Sequence, residues 1–288
     1  MPLHLGHWLA DWCVGENIPF VLGHALYMKA IHGGKAKNDR IDSEKIARLL
    51  KAGMLPQAYA YPARMRATRD LLRRRMMFVR YRADLTAHIQ NTVSQYNLPP
   101  LGARVAKHSE RDSIAMHFPD PVVRQMVELD ITVIEHRDGQ LRVLEQDLAM
   151  KAKAHDAFTY HLLRSVPGIG RILSLVILYE IEDVGRFPTL GQFASYARLV
   201  KCAKESAGKK SGYSDKKIGN AYLKWAFSEA AVLFLRDNPE AQKAIARLAS
   251  KHGKGKALSN LAHRLGRAVY VMLTKRQPFD EARLMATL

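Results

Sequence analysis

From Ala63 to Leu98 the chain runs without a proline or a glycine, and Leu71, Phe78, Leu85 and Thr92 stand seven residues apart. Val79, Ile89, Val93 and Tyr96 thicken that apolar seam, which predicts one long helix rather than strands. Pro99-Pro100 ends it. Asp120-Pro121 then supplies an N-cap and a proline at the first helical position, and Val123, Val127, Ile131, Ile134, Leu141, Leu144 and Leu148 continue a second long helix, with Gly139 a tolerated weak point. Residues 101–118 read as a linker. Two long amphipathic helices in succession fold back as an antiparallel hairpin. Their seam then packs within its own domain or against a second copy, so a homo-oligomer, a dimer or tetramer, is an expectation.

The flanking segments read differently. Trp8–Glu16 is predicted helical, Ile18–Leu22 a strand, and Gly33-Gly34 a connection to a helix that starts near Asn38 and stops at Gly53 and Pro56. This is the tail of an α/β unit. After Leu162-Leu-Arg-Ser-Val-Pro-Gly-Ile-Gly170 the pattern is helical through Glu180, then near 189–199, 216–236 and 257–275. The expected fold class is therefore mixed α/β and mainly α, in three parts: 1–60, a helical hairpin over 61–157 with its linker near 99–118, and 158–288.

Charge points to the partner. Among 288 residues, 45 Lys+Arg face 27 Asp+Glu, a formal net charge of +18. The excess sits in two blocks: residues 61–100 hold 8 basic against 2 acidic side chains, and residues 201–288 hold 18 against 7. Balanced helix faces carry both signs, so this asymmetry favours a nucleic acid over simple solvation. The two cysteines, Cys13 and Cys202, form no CxxC, which removes a disulfide framework and a thiolate zinc site and fits a reducing cytoplasm. No secretory signal is visible, and no run approaches the roughly 20 apolar residues of a membrane span, so no membrane partner is expected.

Four constellations carry candidate chemistry. Asp39 and Asp42, three apart on the first turn of a helix capped by Asn38, project to one side and suit Mg²⁺; acids in a first turn are also favoured by the helix dipole alone. Pro167-Gly168-Ile169-Gly170, followed by Arg171, has the form of a helix-hairpin-helix turn whose glycines admit a phosphate, or of a plain helix–helix turn. Lys201-Cys-Ala-Lys204-Glu-Ser206-Ala-Gly-Lys209-Lys210-Ser211-Gly212, with Lys216 and Lys217, reads as a loop. A serine among lysines there can attack a phosphodiester, or the loop can simply bind phosphate. Lys254 and Lys256 lie in a Gly-rich basic stretch that reads as a flexible phosphate clamp or equally as a solvated loop, and Arg264 and Arg267, beside the apolar face of the last helix, complete the basic set.

The order Lys-Asn-Asp39-x-x-Asp42, a long helical insertion, Val-Pro-Gly-Ile-Gly170, Arg186-Phe187, Phe193-Ala-Ser-Tyr-Ala-Arg-Leu199, Glu205-Ser206-Ala-Gly and Lys217-Ile-Gly-Asn220-Ala-x-Leu-Lys resembles the DEDD-type insertion-sequence transposases, the "one-ten" group. The resemblance spans nearly the whole chain. It implies part of a RuvC/RNase H-like nuclease domain, a coiled-coil region and a mostly helical transposase domain. It also implies serine recombination of DNA guided by a structured RNA. On this likeness Asp39 and Asp42 are the last two acids of the set that binds Mg²⁺, and Ser206 is the nucleophile, with Ser211 the runner-up. The family's first Asp and its Glu are expected before or at Met1, since neither Asp11 nor Glu16 fits; the resemblance thus implies an N-terminally truncated start. That keeps two alternatives open: a catalytically defective nucleic-acid-binding remnant, and a helix-hairpin-helix protein that binds DNA junctions.

Overall fold

The computed structural model describes residues 6–25, 27–28, 38–102, 105, 107–111, 113–200, 218–286 and, as backbone, 203–206 and 209–213. They are mostly helical. Two compact units are distinguished: residues 1–67 with 202–218, and residues 68–201 with 219–288.

In the first unit, α1 (His7–Gly15) buries Ala10 and Cys13, and Asn17 takes a left-handed backbone (φ 55°) to turn the chain. The strand expected over Ile18–Leu22 does not form. The segment is extended, but its neighbourhood holds only one isolated antiparallel bridge, Gly23 to Gln57, flanked by His24 N–H to the Pro56 carbonyl and Ala58 N–H to the Leu22 carbonyl, both 2.7 Å. Pro19 has no N–H to donate, and a strand needs a partner ladder that the described residues do not supply. Helix α2 (Asp39–Lys51) starts where Asn38 Oδ1 accepts from Ile41 N–H at 3.0 Å. Arg66 fixes the unit by gripping Asp11 through both carboxylate oxygens (2.7 and 2.8 Å) and the Tyr61 carbonyl (2.6 Å). The lysine-rich segment expected as a loop contains an antiparallel hairpin, β1 (Ala203–Ser206) with β2 (Lys209–Tyr213), with a register irregularity between Lys204 and Glu205.

The second unit is built on α3 (Ala63–Gln95), from Thr68 onward, and α4 (Pro121–Arg164). Arg75 pairs with Glu145, Arg82 with Asp138 and His88 with Asp130. Partner numbers fall on one helix as they rise on the other, so the two run antiparallel. Asp120 caps α4 as expected, accepting from Val122 and Val123 N–H. From Thr68 onward the deepest positions on α3 are Leu72, Met76, Ile89, Thr92 and Val93, whereas Leu71, Phe78 and Leu85 are half-buried and Tyr96, just past its end, is exposed. A 3.6-residue turn drifts away from a strict seven-residue repeat, which moves the buried stripe off the simple seam. The segment 101–118 is no bare linker. Leu101, Val105, Ile114, Ala115 and Phe118 enter one core with Ile89, Val93, Val127 and Ile134, and Arg111, itself buried, reaches Asp138 at 2.8 Å. These two guanidinium groups decide the state of Asp138: burial pushes its carboxyl up, but hydrogen bonds and charge from Arg82 and Arg111 outweigh that and hold it below the usual range.

Helix α4 breaks its helical geometry at Asp156 (φ −152°, ψ 84°), where the carboxylate accepts from Thr159 N–H and so starts the final turns. After α4 the described α-helices are α5 (Arg171–Ile181), α6 (Leu190–Tyr196), α7 (Ala221–Arg236), α8 (Pro239–His252), α9 (Lys254–Lys275) and α10 (Glu281–Ala286). Helix α5 is buried from Leu173 to Ile181; α9 packs on both α7 and α8 and buries Leu261, Leu265, Val269 and Met272. Helix α8, which periodicity had not suggested, is held by Asn238 capping Ala241 N–H and by buried Ala241 and Ile245. No helix among the described residues is long and apolar enough to cross a membrane.

Candidate active site and nucleic-acid interface

Asp39 and Asp42 both lie exposed on the first turn of α2, one turn apart on a helix whose start Asn38 fixes. Two carboxylates are a donor set that Mg²⁺ uses when substrate phosphates complete its shell. Among the described residues, no group of three or more His, Cys, Asp or Glu converges as a metal cage. Ser206 ends β1 and pairs in register with Lys209; Ser211 lies on β2, as do Lys209 and Lys210, and Lys204 lies on β1. Lys216 and Lys217 fall outside the described residues.

The glycine turn before α5 divides its labour. Gly168 sits at φ +83°, and a Cβ there would lie 2.6 Å from Phe234 N and 2.7 Å from the Ala230 carbonyl. The close approach it permits is to helix α7 of its own unit. Gly170 is exposed, has open space around it, and forms the start of α5 without a side-chain cap. Arg171 next to it reaches Glu145 at 2.9 Å.

A buried carboxylate outside the four constellations organises this unit. Glu180, the one acid in the apolar run Ile172–Ile181, is 1% exposed. It accepts from Arg73 Nε (2.8 Å) and a second Arg73 nitrogen (3.0 Å), from Arg69 (3.0 Å) and from Asn220 Nδ2 (2.8 Å). Burial raises its pKa, but the Arg73 hydrogen bond, the charges of Arg69 and Arg73 and the Asn220 donor overcome this and keep the carboxylate ionised below its ordinary range. Arg73 also lies over the Tyr222 ring, 4.5 Å from its centre. The signal for this network was present: a lone acid in a buried helix needs cations, and Arg69 and Arg73 are spaced i, i+4.

Several residues of the quoted motifs gather nearby. Asn220 caps α7 and donates its own N–H to the Tyr196 carbonyl at 2.6 Å, and Gly219 (φ +87°) makes that approach, since a Cβ would meet the Tyr196 carbonyl at 2.7 Å. Phe187 packs on Phe193 and Tyr196, and Arg186 lies 4.6 Å above both Phe187 and Tyr196. Tyr196 and Asn220 thus tie together the two ends of the segment that carries Ser206.

On α9, Lys256, Asn260, Arg264 and Arg267 follow one helical face. Lys254 and Lys256 lie already inside the helix, after the turn at Gly253 (φ +86°), rather than in a loop. Arg264 donates Nε–H to Asn260 Oδ1 at 2.6 Å.

Two family profiles match the chain. Residues 160–246 match that of the transposase IS116/IS110/IS902 family, and residues 1–98 match a transposase profile of the DEDD type named for IS110. Over these two segments the chain is similar to the IS110/IS116-family insertion-sequence transposases. Among curated proteins, the chain is similar to the transposase for insertion sequence element IS1111A of Coxiella burnetii, 23% identical over 282 residues that cover 95% of the chain and 76% of the relative. It is also similar to the insertion element IS110 uncharacterized 43.6 kDa protein of Streptomyces coelicolor, 28% identical over 165 residues, 55% of the chain and 40% of that relative. Asp39 and Asp42 fall inside the matched segment 1–98; Gly168, Gly170, Glu180, Ser206 and Asn220 fall inside the matched segment 160–246.

Proposed function

We propose that this chain cuts and rejoins DNA as the transposase of an insertion sequence, with Ser206 as nucleophile and Asp39 and Asp42 as the acids that hold Mg²⁺. The observation that carries this reading is the pair of matched transposase profiles, one holding the two acids and the other the serine. In support, the three residues belong to the same one of the two compact units, and three lysines share the serine's hairpin. The Ser206 hydroxyl gives up its proton and forms an Oγ–phosphorus bond while one P–O bond of the backbone breaks and the departing oxygen takes a proton. Attack by the hydroxyl of a new strand reverses the step, reforms a phosphodiester and frees the serine, so no bond energy is lost to water. The lysines lower the cost of charge on the phosphorane. When bound, Mg²⁺ supplies neutralisation of scissile phosphate oxygens. A structured RNA as guide, a RuvC-like setting for α2, a coiled-coil role for the helical hairpin, the division at 60 and 157, and a working dimer or tetramer belong to the same proposal.

The test is covalent capture. Full chain is incubated with Mg²⁺, DNA carrying the ends of its element and RNA transcribed from that element, then resolved on a denaturing gel. A protein–DNA adduct is expected with the native chain, none with Ser206→Ala, and a loss of at least 100-fold with Asp39→Asn. Adduct at native level from Ser206→Ala would move the role to Ser211 or end the serine mechanism.

A second reading, binding without cleavage, is favoured by one observation: the described residues converge no more than two carboxylates near α2. It predicts sequence-selective binding with no adduct under any of these conditions.

A further inference from the structure

Between α9 and α10 lies a cavity of about 310 Å³, at the small end of ligand sites. Its floor is apolar: Ala268, Val271, Met272 and Leu284. Its wall carries Arg264, Arg267 and Arg283 against a single carboxylate, Asp280, which is already engaged in accepting from the Arg283 backbone N–H at 2.8 Å. No carboxylate pairs with any of the three guanidinium groups among the described residues, in contrast to the arginines of the helical hairpin, of which Arg75, Arg82 and Arg111 each meet an acid. A smaller cavity of about 240 Å³ adjoins it at the shared residue Asn260 and is lined by Lys256 and His252. Lys256, Asn260, Arg264 and Arg267 succeed one another at i, i+4, i+8 and i+11, so the two cavities form one track of about 16 Å along the helix.

The field in the track is consistent with this layout. Burial and the positive charges of Arg267 and Arg264 hold His263 below its ordinary pKa, and burial with the Arg267 charge lowers that of Arg264. Burial opposes a charge of either sign, but the charges of Arg264 and Arg267, which have no carboxylate beside them among the described residues, favour an anion.

We infer that this track seats the backbone of a single nucleic-acid strand, with phosphates on Lys256, Arg264 and Arg267 in turn and one nucleoside on the apolar floor of the cavity beside Arg283. A duplex presents a broad rigid rod, which a concave site of this size does not admit; one unpaired strand fits. The inference rests on the reading of the chain as a nucleic-acid enzyme and adds where, and in what form, a strand is held.

The experiment is fluorescence anisotropy on the full chain with labelled oligo-dT, oligo-rU and a hairpin duplex, across a salt series. Arg264→Gln/Arg267→Gln is expected to weaken single-strand binding about tenfold or more. It should also make the slope of log K against log salt shallower by about 1.4, two phosphate contacts at about 0.7 each. Arg267→Gln alone, at an exposed side chain, should change the slope by about half as much and guards against misfolding of the double variant. Lys243→Gln on α8 removes one charge elsewhere and should leave both readings near native. A loss with either oligo-dT or oligo-rU supports the track. Native slopes in both arginine variants overturn it while leaving the enzyme reading intact, and so does an equal loss on duplex. Displacement of the strand by millimolar inorganic phosphate at constant ionic strength would assign the cavity to a free anion instead. Absence of any nucleic-acid binding by the native chain would sink this inference and the enzyme reading together.

Discussion

Truncating Glu180 to alanine leaves two guanidinium groups, Arg69 at 12% and Arg73 at 25% side-chain exposure, facing an emptied, water-poor site. Removing one partner of a buried charged cluster costs about 3–5 kcal/mol, because what remains is uncompensated charge rather than a lost contact. Four hydrogen bonds to the carboxylate disappear as well, one of them from Asn220, which also caps α7. For a unit of this size each kcal/mol shifts the melting temperature by about 2–4 °C, so Glu180→Ala should melt roughly 6–20 °C lower. In urea the midpoint should fall with m unchanged. Glu180→Met combined with Arg69→Met and Arg73→Leu should recover a large part of the loss, since an apolar replacement of the whole cluster leaves no orphaned charge. A Glu180→Ala protein within about 1 kcal/mol of native, or a triple variant no better than the single one, would refute the reasoning.

Gly168→Ala should destabilise by roughly 2–5 kcal/mol, combining a strained positive φ with a Cβ driven into the backbone of α7, whereas Gly170→Ala, with nothing within 4 Å, should change urea stability by less than about 1 kcal/mol. Acid should unfold the second unit early. Glu180 and Asp138 have folded pKa values below their unfolded ones, so their contribution is complete above about pH 4–5 and is lost as pH falls through the depressed values; His263, also depressed, adds a loss that begins as pH drops below about 6.5. Melting temperature measured from pH 8 to pH 3 should decline monotonically, and Glu180→Gln should flatten the lower part of the curve. Asp138→Ala should cost about 3 kcal/mol or more by freeing the buried Arg111, and Arg111→Met should relieve part of that loss when added to it, as a double-mutant cycle in urea would show.

How legible each element was follows from the range of the interactions that make it. The two long helices, the Asn38 and Asp120 caps and the helix over Arg171–Ile181 depend on spacing and on neighbours within a few residues, and all formed as read. The strand over Ile18–Leu22 failed because an apolar run becomes a strand only with a ladder beside it. Residues 101–118 looked like a linker because their apolar members follow no period, yet Ile114 and Phe118 are fully buried by α3 and α4. Of the candidate site residues, Asp39 and Asp42 were visible as a local pair and sit as one. Gly168 carried an ambiguous signal that packing resolved toward α7, and Arg283 carried none, since only the return of α10 onto α9 brings it beside Arg264 and Arg267.

The amino-acid order alone set the helical period, the caps, the basic excess and the likeness to transposases, since these are properties of short windows or of plain counting. Tertiary structure decided which charges are paired and which stand open. Glu180 became the anchor of a buried cluster, and three arginines of α9 and α10 came to share one cavity. An ionic partner is chosen by distance in space and by the exclusion of water, and residues 107 or 111 positions apart, as Arg73 and Arg69 are from Glu180, have no local pattern that announces it.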